Sequence, residues 1–415
     1  MTAAAAAPSR PFPMGEREFI ALMASLQALQ ALAIDAMLPA LGVMSRDLAV
    51  TDPNDRQFVV GVFLICAGLG SLFPGALADR FGRRRVLLAC LGGYMVFTLA
   101  AAVVGEFNIM LVMRGLAGLS ASGLIVASAA TIRDRFSGDK MARTQSLVGV
   151  VFMVVPMIAP SIGQAVLLVA GWRWIFGVMA LLGGAVAVWV FLRLPETLHS
   201  EFRQPVNLKA IAGNMKVALL NRTALGYIFG LALVQGALFG YINSSQQLVA
   251  EHFGLGEAFP LFFGAMAVAM ALANLTNSRI VERFGARRVS HSALCAYIAL
   301  ASLQLWFAWR GTETVWEFGP LMTLNLCLMG FIGANFGAIA LQPFARIAGA
   351  AASVQVFVRM VLGSVLGAVI GHAYDGTARP LAMALLGAGT LALLLVLYSE
   401  RGRLFRRLHG QVQQV

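Results

Sequence analysis

Long apolar stretches separated by short polar segments recur along the entire chain. Twelve of them reach about 20 residues, the length that an α-helix needs to cross the hydrocarbon of a bilayer. The pattern therefore predicts an all-α membrane protein with twelve transmembrane helices. The predicted spans are 18–44, 57–78, 86–105, 108–131, 144–169, 173–194, 223–249, 258–281, 289–309, 317–343, 351–373 and 379–399.

Basic residues between the spans are concentrated on one side of the predicted membrane. An even number of spans places both termini on the same side, and that side holds 24 of the 31 Lys and Arg residues. Because loops rich in Lys and Arg stay in the cytoplasm, we expect a multi-pass protein of the bacterial cytoplasmic membrane with both termini inside. The opposite loops hold only Arg46, Arg56, Arg173, Arg310 and Arg379.

A long polar stretch at 195–222 divides the spans six and six, which predicts two domains. The expected organisation is a disordered segment 1–17, an N-terminal bundle 18–194, a cytoplasmic linker 195–222, a C-terminal bundle 223–399 and a cytoplasmic tail 400–415. A motif also recurs between the halves, since 79–86 reads DRFGRRRV and 282–289 reads ERFGARRV. Both copies fall on the same membrane side, so the halves are expected to be related by an axis along the membrane normal, with substrate bound between them.

Composition narrows the possible functions. The chain is 59% apolar and 12% charged, whereas soluble domains carry roughly 25% charged residues. The net charge of +12 lies in clusters at span ends without interleaved aromatic residues, so we expect no nucleic-acid partner. The four cysteines and five histidines have no metal-ligand spacing, and no phosphate-binding loop is present. We therefore expect no metal, no cofactor and no enzyme activity.

The segment 75–84, GALADRFGRR, resembles the loop signature between helices two and three of the major facilitator superfamily. Further features are similar to its drug:proton antiporters, and among them to the bicyclomycin and chloramphenicol resistance (Bcr/CflA-type) branch. They are Asp35 with 38–41, the segment 132–136, Pro156, Pro160 and Gly163, and the segments 171–176, 194–197, 335–340, 348–349 and 352–353. The resemblance implies the major facilitator fold, with two six-helix bundles related by a pseudo-twofold axis, and proton-coupled efflux by alternating access.

The chain also departs from the antiporter pattern. Arg114 is followed by Ala117 where such antiporters usually have Gln, and Val155 and Gln164 replace glycines of the fifth-helix signature. Some related antiporters carry a second acid eight residues before the first-helix aspartate, where this chain has Gln27. This last departure argues against export of polycations by a pair of buried acids.

Three ionisable residues, Asp35, Arg114 and Arg359, fall inside the predicted spans. Such groups are costly in hydrocarbon and are therefore candidates for function. Asp35 and Arg114 lie at comparable depth, and the helices that carry them are neighbours in the fold that the chain resembles. We predict that they form an ion pair when Asp35 is deprotonated and that protonation releases Arg114, which would couple transport to protons. The alternative is a fixed ion pair that only stabilises the bundle.

Polar and adaptable side chains in the spans outline a candidate substrate cavity. Arg359, near the membrane midplane, either selects anionic or zwitterionic substrates or has a structural role beside Gln355 or backbone carbonyls. The other candidates, each with the alternative role of an ordinary helix contact, are Gln27, Gln30, Met37, Phe152, Met153, Gln235, Phe239, Asn243, Asn274, Phe331, Asn335 and Gln355.

The loop signature predicts a cytoplasmic gate that includes Gly75. We expect the carboxylate of Asp79 to interact favourably with the positive N-terminus of helix eleven, near Gly349. The two cations that follow, Arg80 and Arg83, would bridge the halves, and Gly82 would allow the tight turn.

Helix five carries Pro156, Pro160 and Gly163, which interrupt hydrogen bonding or loosen packing. The resemblance implies a bend that lines the interface between the halves and prevents leaks. The alternative is an ordinary proline kink.

These expectations favour a monomeric, lipid-embedded transporter that exchanges protons for a small amphipathic organic substrate, such as an amphenicol, bicyclomycin, a sulfonamide or a metabolite. Two alternatives remain open at this point. One is a facilitator or proton symporter for a small nutrient, and the other is a receptor built on the same fold without transport.

Overall fold

The structure of this chain is a computed structural model, and it describes residues 13–136, 138–198 and 208–405. In these residues the apolar stretches form long α-helices joined by short turns. The α-helices are α1 Glu16–Asp35, α2 Leu41–Asp47, α3 Phe58–Gly70, α4 Pro74–Phe81, α5 Arg83–Val103, α6 Phe107–Arg135, α7 Gly138–Ala170, α8 Arg173–Arg193, α9 Leu208–Leu220, α10 Arg222–Ser245, α11 Phe259–Phe284, α12 Ala286–Arg310, α13 Val315–Leu341, α14 Ala348–His372 and α15 Arg379–Ser399.

The number of membrane spans agrees with the prediction of twelve. Within the described ranges, eleven helical segments are long and apolar enough to cross a bilayer. The twelfth span is a broken one, in which α3 and α4 meet at an angle of 48°. Pro74 begins α4, and because proline cannot donate a backbone hydrogen bond, the helix bends at this point.

The first span differs from the continuous helix that hydropathy predicts. It extends over Glu16–Asp47, but α1 ends at Asp35 and α2 begins at Leu41. A short 3₁₀ turn, Leu38–Ala40, connects the two helices. Hydropathy measures how apolar a window is and cannot detect such a break.

The predicted linker between the halves contains a helix, α9, whose 13 residues run from Leu208 to Leu220. Arg222 already belongs to α10, and the side chain of Asn221 caps that helix by accepting a hydrogen bond from the Ala224 amide, 3.1 Å away. Residues 1–12, 199–207 and 406–415 lie outside the described residues, as do the predictions made for them.

Small residues allow the helices of each half to pack closely, as is common in membranes. A Cβ atom on Gly118 of α6 would overlap the carbonyl oxygen of Phe63 in α3. In the other half, Gly226 of α10 approaches the carbonyl of Leu395 in α15 in the same way.

The two halves contact each other mainly through α3 against α14 and α7 against α11. Gly68 of α3 packs on Met360 and Val361 of α14, and Gly264 of α11 faces the carbonyl of Met157 in α7. The interface thus joins the second span to the eleventh and the fifth to the eighth.

Candidate transport site

Asp35 lies at the break in the first span. Pro39, four residues later, has no N–H to donate to the Asp35 carbonyl, so the α-helix cannot continue through this point. The Asp35 side chain is 4% exposed, and it makes no hydrogen bond or ion pair with any residue that the structure describes. All other carboxyl groups of the described spans lie close to span ends. An ionised carboxylate without a partner is costly at this depth, which favours the protonated form.

Arg114 of α6 binds backbone carbonyl groups of two neighbouring helices. Its Nε donates to Val59 and its Nη2 donates to Ala33, each over 3.0 Å. The guanidinium also lies 4.4 Å from the centre of the Phe63 ring, and the residue is 1% exposed. The structure thus contains a guanidinium that joins α1, α3 and α6.

The predicted ion pair between Asp35 and Arg114 is not among the contacts of the described residues. Two of the guanidinium nitrogens are occupied by carbonyl oxygens instead, a type of partner that leaves no trace in a sequence. Nevertheless, Ala33 precedes Asp35 by only two residues, so Arg114 does lie against this part of α1. Its remaining nitrogen, Nη1, is buried and has no partner.

Gly163 of α7 packs directly against the break in the first span. A Cβ atom at this position would overlap the carbonyl oxygen of Ala36. The helix runs without interruption from Gly138 to Ala170, with Pro156 and Pro160 inside it, and Met157 between them faces Gly264 of the other half. This helix therefore contacts both the Asp35 region and the interface between the halves.

Three predicted cavity residues form hydrogen bonds with a neighbouring helix or with their own helix. Gln27 Nε2 donates to Ser128 Oγ over 3.4 Å, and Asn335 Nδ2 donates to Asn277 Oδ1 over 2.9 Å. Asn274 donates to the carbonyl of Met270, one turn earlier in its own helix. These three residues thus make helix contacts, and their place in a substrate cavity stays a prediction.

Other predicted cavity residues are buried without a polar partner. Both side-chain polar atoms of Asn243 lack a hydrogen-bond partner, and so does Oε1 of Gln30. Met37 is fully buried, Phe239 packs on Gly367 of α14, and Gln235 and Phe331 are half-buried. The side chains of Phe152 and Met153 lie outside the described part of the chain.

Arg359 lies near the middle of α14 and is half-buried. Among the residues that the structure describes, it has no hydrogen bond, ion pair or aromatic contact. Gln355, one turn earlier, is buried beside Gly337 of α13. No described residue forms a hydrogen bond with the Arg359 guanidinium, and both roles proposed for Arg359, substrate selection and packing beside Gln355, stay predictions.

The predicted gate loop is held within its own half. Arg83 contacts Asp79 at 2.5 Å and Asp134 at 2.9 Å, and its backbone N–H donates to Glu196 over 2.7 Å. The expectation that Arg83 bridges the halves is therefore wrong for this conformation, because acids of the N-terminal half take its donors. Arg80 is exposed and lies over the ring of Phe81.

The glycine of this loop has the expected role. Gly82 adopts a φ of +102°, and a Cβ atom there would overlap the carboxyl group of Glu196. The matching residue of the second half, Gly285, has a φ of +84°. Gly75 is part of α4, close to Val126 of α6. The predicted contact of Asp79 near Gly349 concerns side chains outside the described residues, and Asp79 itself is about half exposed.

Sequence reasoning missed a polar cluster at the face opposite the termini, which we call the distal latch. Arg56 at the start of the second span forms a two-pronged ion pair with Glu251, at 2.8 Å for each contact. Gln57 donates to Gln247, which in turn donates to Asn54 over 2.9 Å. The only available signal was that Arg56 is one of five cations on this side of the membrane.

The distal latch connects the two halves. Asn54 also donates to the carbonyls of His372 and Tyr374 at the end of the eleventh span, over 3.0 and 2.8 Å. Every hydrogen bond that joins the halves within the described ranges belongs to this face. In contrast, the charged residues near the termini, such as Arg83 and Arg287, bind acids of their own half. The structure is therefore closed at the distal face.

Comparisons with known proteins agree with this architecture. The family model described as Major Facilitator Superfamily matches residues 23–368. A bicyclomycin resistance protein homolog of Haemophilus influenzae is 30% identical over 374 residues, which is 88% of this chain and 91% of that protein. A chloramphenicol resistance protein of Pseudomonas aeruginosa is 25% identical over 380 residues, or 90% of this chain and 88% of that protein.

Solved structures with the same fold are transporters of low sequence identity. A bacterial homolog of the human lysosomal transporter Spinster has a TM-score of 0.69 at 13% identity, covering 95% of this chain and 96% of that one. The xylose transporter XylE from Escherichia coli has a TM-score of 0.67 at 15% identity, covering 92% and 97%. With its twelve spans, its repeated halves and these matches along most of its length, the chain belongs to the major facilitator superfamily and is a multi-pass membrane transporter.

Proposed function

We propose that this transporter is a proton-coupled antiporter that exports small amphipathic organic compounds by alternating access. The observation that carries the proposal is Asp35, a buried acid at a helix break in the middle of the first span. Broken helices in transporters place their ion and substrate sites near the membrane midplane. A single carboxyl group there carries one proton in its neutral form. In its ionised form it needs a cation or water as a partner.

The closed distal face supports alternating access. In the proposed orientation both termini are cytoplasmic, so the distal latch seals the outer side and the structure corresponds to an inward-facing state. Opening the outer side requires that the ion pair between Arg56 and Glu251 breaks.

Arg114 is the proposed partner of Asp35 in the deprotonated state. Its Nη1 is a buried donor without an acceptor, beside the part of α1 that carries Asp35. An ionised Asp35 that accepts a hydrogen bond from Nη1 would be stabilised by the charge of the guanidinium. Protonation from the outer side would end this attraction, and inward opening would return the proton to the cytoplasm as substrate binds.

The names of the relatives suggest where to look for substrates. Relatives of this chain are called bicyclomycin and chloramphenicol resistance proteins, and others are called multidrug resistance proteins. Chloramphenicol is a suitable first probe because it is small, neutral and amphipathic, so a pH change caused by its transport reports proton movement directly.

The proposal is tested in everted membrane vesicles that hold a proton gradient and a pH-sensitive dye. Adding chloramphenicol, or another member of a panel of neutral antibiotics, should dissipate the gradient, and Asp35→Asn should abolish this response. Asp47→Asn is the matched control, since Asp47 ends the same span at the distal face, and it should keep the response.

Two results would contradict the proposal. One is an Asp35→Asn variant that still exports a neutral compound with unchanged pH dependence. The other is transport of these compounds without any loss of the proton gradient, for every member of the panel. That outcome would indicate facilitated diffusion.

A further inference from the structure

Arg359 is a charged side chain in the middle of a membrane span, and the protein offers it no partner among the described residues. Arginine at this depth is costly and is normally paired with an acid or with carbonyl oxygens, as Arg114 is. Arg359 is half-buried, and no described residue offers its guanidinium an acceptor. A charge without a partner at this depth is costly, so a bound anion would stabilise it.

The position of Arg359 on α14 places it towards the inside of the C-terminal half. Residues four apart share a face of an α-helix, so Arg359 lies between Gln355 and Gly363 on one face. Gln355 is buried beside α13, and Gly363 packs on Ala232 and Gln235 of α10. The exposed side of the same helix carries Val365 instead, which is 42% exposed. Arg359 therefore lies on the face of α14 that packs against α10 and α13.

The two spans that carry unpartnered ionisable groups belong to opposite halves. Asp35 is on α1 and Arg359 is on α14, and each lacks a polar partner within the described residues. Transporters of this architecture bind substrate between their halves. A substrate bound between the halves lies between the span that carries Asp35 and the span that carries Arg359.

We propose that Arg359 is the recognition group for an acidic substituent, so that the compounds this protein binds best are small amphipathic carboxylates or similar anions. This inference rests on the proposed function, since it names the substrate class of the same cavity. Guanidinium suits this role because it stays charged and donates two parallel hydrogen bonds to a carboxylate.

The test measures equilibrium binding of two probes of the same shape, 2-naphthoate and 2-naphthamide, to the purified full-length protein in detergent without a proton gradient. The unaltered protein should bind the anion roughly tenfold more tightly than the amide, the effect of one charge-assisted hydrogen-bonded contact. Arg359→Gln should remove this difference, and elution of the purified variant as a single species in size-exclusion chromatography shows that it is folded. Arg359→Lys should keep a reduced preference for naphthoate, because a single ammonium replaces the two parallel donors of the guanidinium.

Arg279→Gln is the matched control. Arg279 is an exposed arginine near the end of α11, and its replacement changes the net charge equally, so the preference for naphthoate should remain. The proposal is overturned if the unaltered protein binds the two probes equally or fails to bind naphthoate. It is also overturned if Arg359→Gln keeps the preference. Binding is measured without a proton gradient and does not require coupling by Asp35, so a failure of proton coupling is distinguishable from a failure of anion recognition.

Discussion

Glu251 accepts hydrogen bonds from both terminal nitrogens of Arg56, each over 2.8 Å, and the two residues belong to opposite halves. Arg56 is 6% exposed, so removal of its partner leaves a buried charge. We expect Glu251→Gln to open the distal face more often, because a hydrogen bond between charged groups contributes about 1.5–3 kcal/mol. Asn243, 1% exposed beneath the latch, provides the probe as Asn243→Cys in a background without the four native cysteines.

Labelling of this cysteine by a membrane-impermeant maleimide from the distal side should become roughly tenfold faster in Glu251→Gln. Asp47→Asn is the control, because Asp47 forms a distal-face ion pair with Arg173 inside one half. An unchanged labelling rate in Glu251→Gln, or an equal acceleration in the control, would mean that the ion pair does not hold the halves together.

Gly163→Ala should destabilise the protein, because the new methyl group overlaps the carbonyl of Ala36 and one helix has to move. Overpacking of this kind typically costs about 1–3 kcal/mol. Gly149→Ala in the same helix is the control, since nothing lies within 4 Å of the new methyl group. The apparent melting temperature in detergent should fall for Gly163→Ala only, and equal melting temperatures would show that α1 and α7 are not closely packed at this point.

Arg114→Lys should lose stability although the charge is conserved. A guanidinium reaches the carbonyls of Ala33 and Val59 from two different nitrogens, whereas an ammonium is a compact single centre. We expect a loss of about 2 kcal/mol, because a buried carbonyl loses its donor and the contact with the Phe63 ring weakens. Thermal unfolding of the variant checks this, and a melting temperature equal to that of the unaltered protein would remove the structural role assigned to Arg114.

Glu400 should make the C-terminal half sensitive to acid. Burial raises the pKa of Glu400, but hydrogen bonds donated by Tyr227 and Arg287 outweigh burial and hold this pKa below its ordinary value of 4.5. A lowered carboxyl pKa contributes stability that is complete above the ordinary value and is lost as the pH falls through the lowered one.

Glu400→Gln should therefore lower the free energy of unfolding at pH 7 by about 3 kcal/mol, because the buried Arg287 loses its partner. The melting temperature should fall accordingly at pH 7, and it should fall less at pH 3.5. The exposed Glu257 provides the control variant Glu257→Gln, which should melt like the unaltered protein at both values. If the melting temperatures of Glu400→Gln and the unaltered protein differ equally at both pH values, the assignment of a lowered pKa to Glu400 is contradicted.

Local patterns predicted much of the fold. The apolar runs identify the spans because each span must satisfy its backbone hydrogen bonds internally, whatever surrounds it. Gly82 could be assigned to a tight turn because a positive φ favours glycine, and the structure has a positive φ there and at the matching Gly285. Asp35 could be selected because a lone acid in an apolar run is rare.

Partners in the site were less predictable. The acceptors of Arg114 are carbonyl groups, which every residue carries, so no pattern marks Ala33 or Val59. The ion pair between Arg56 and Glu251 joins residues 195 apart in the chain, and it depends on how the two halves are oriented. Pairing across halves changes with conformation, whereas a sequence is the same in all conformations.

The end of α10 continues as a π-helical turn, Gln246–His252, and this turn carries the side chains of Gln246, Gln247 and Glu251. The hydrogen bonds of a π-helical turn run over five residues instead of four, so its side chains project at other angles than those of an α-helix. The winding of this one turn therefore sets the direction in which Glu251 projects towards Arg56, and with it the ion pair that joins the two halves.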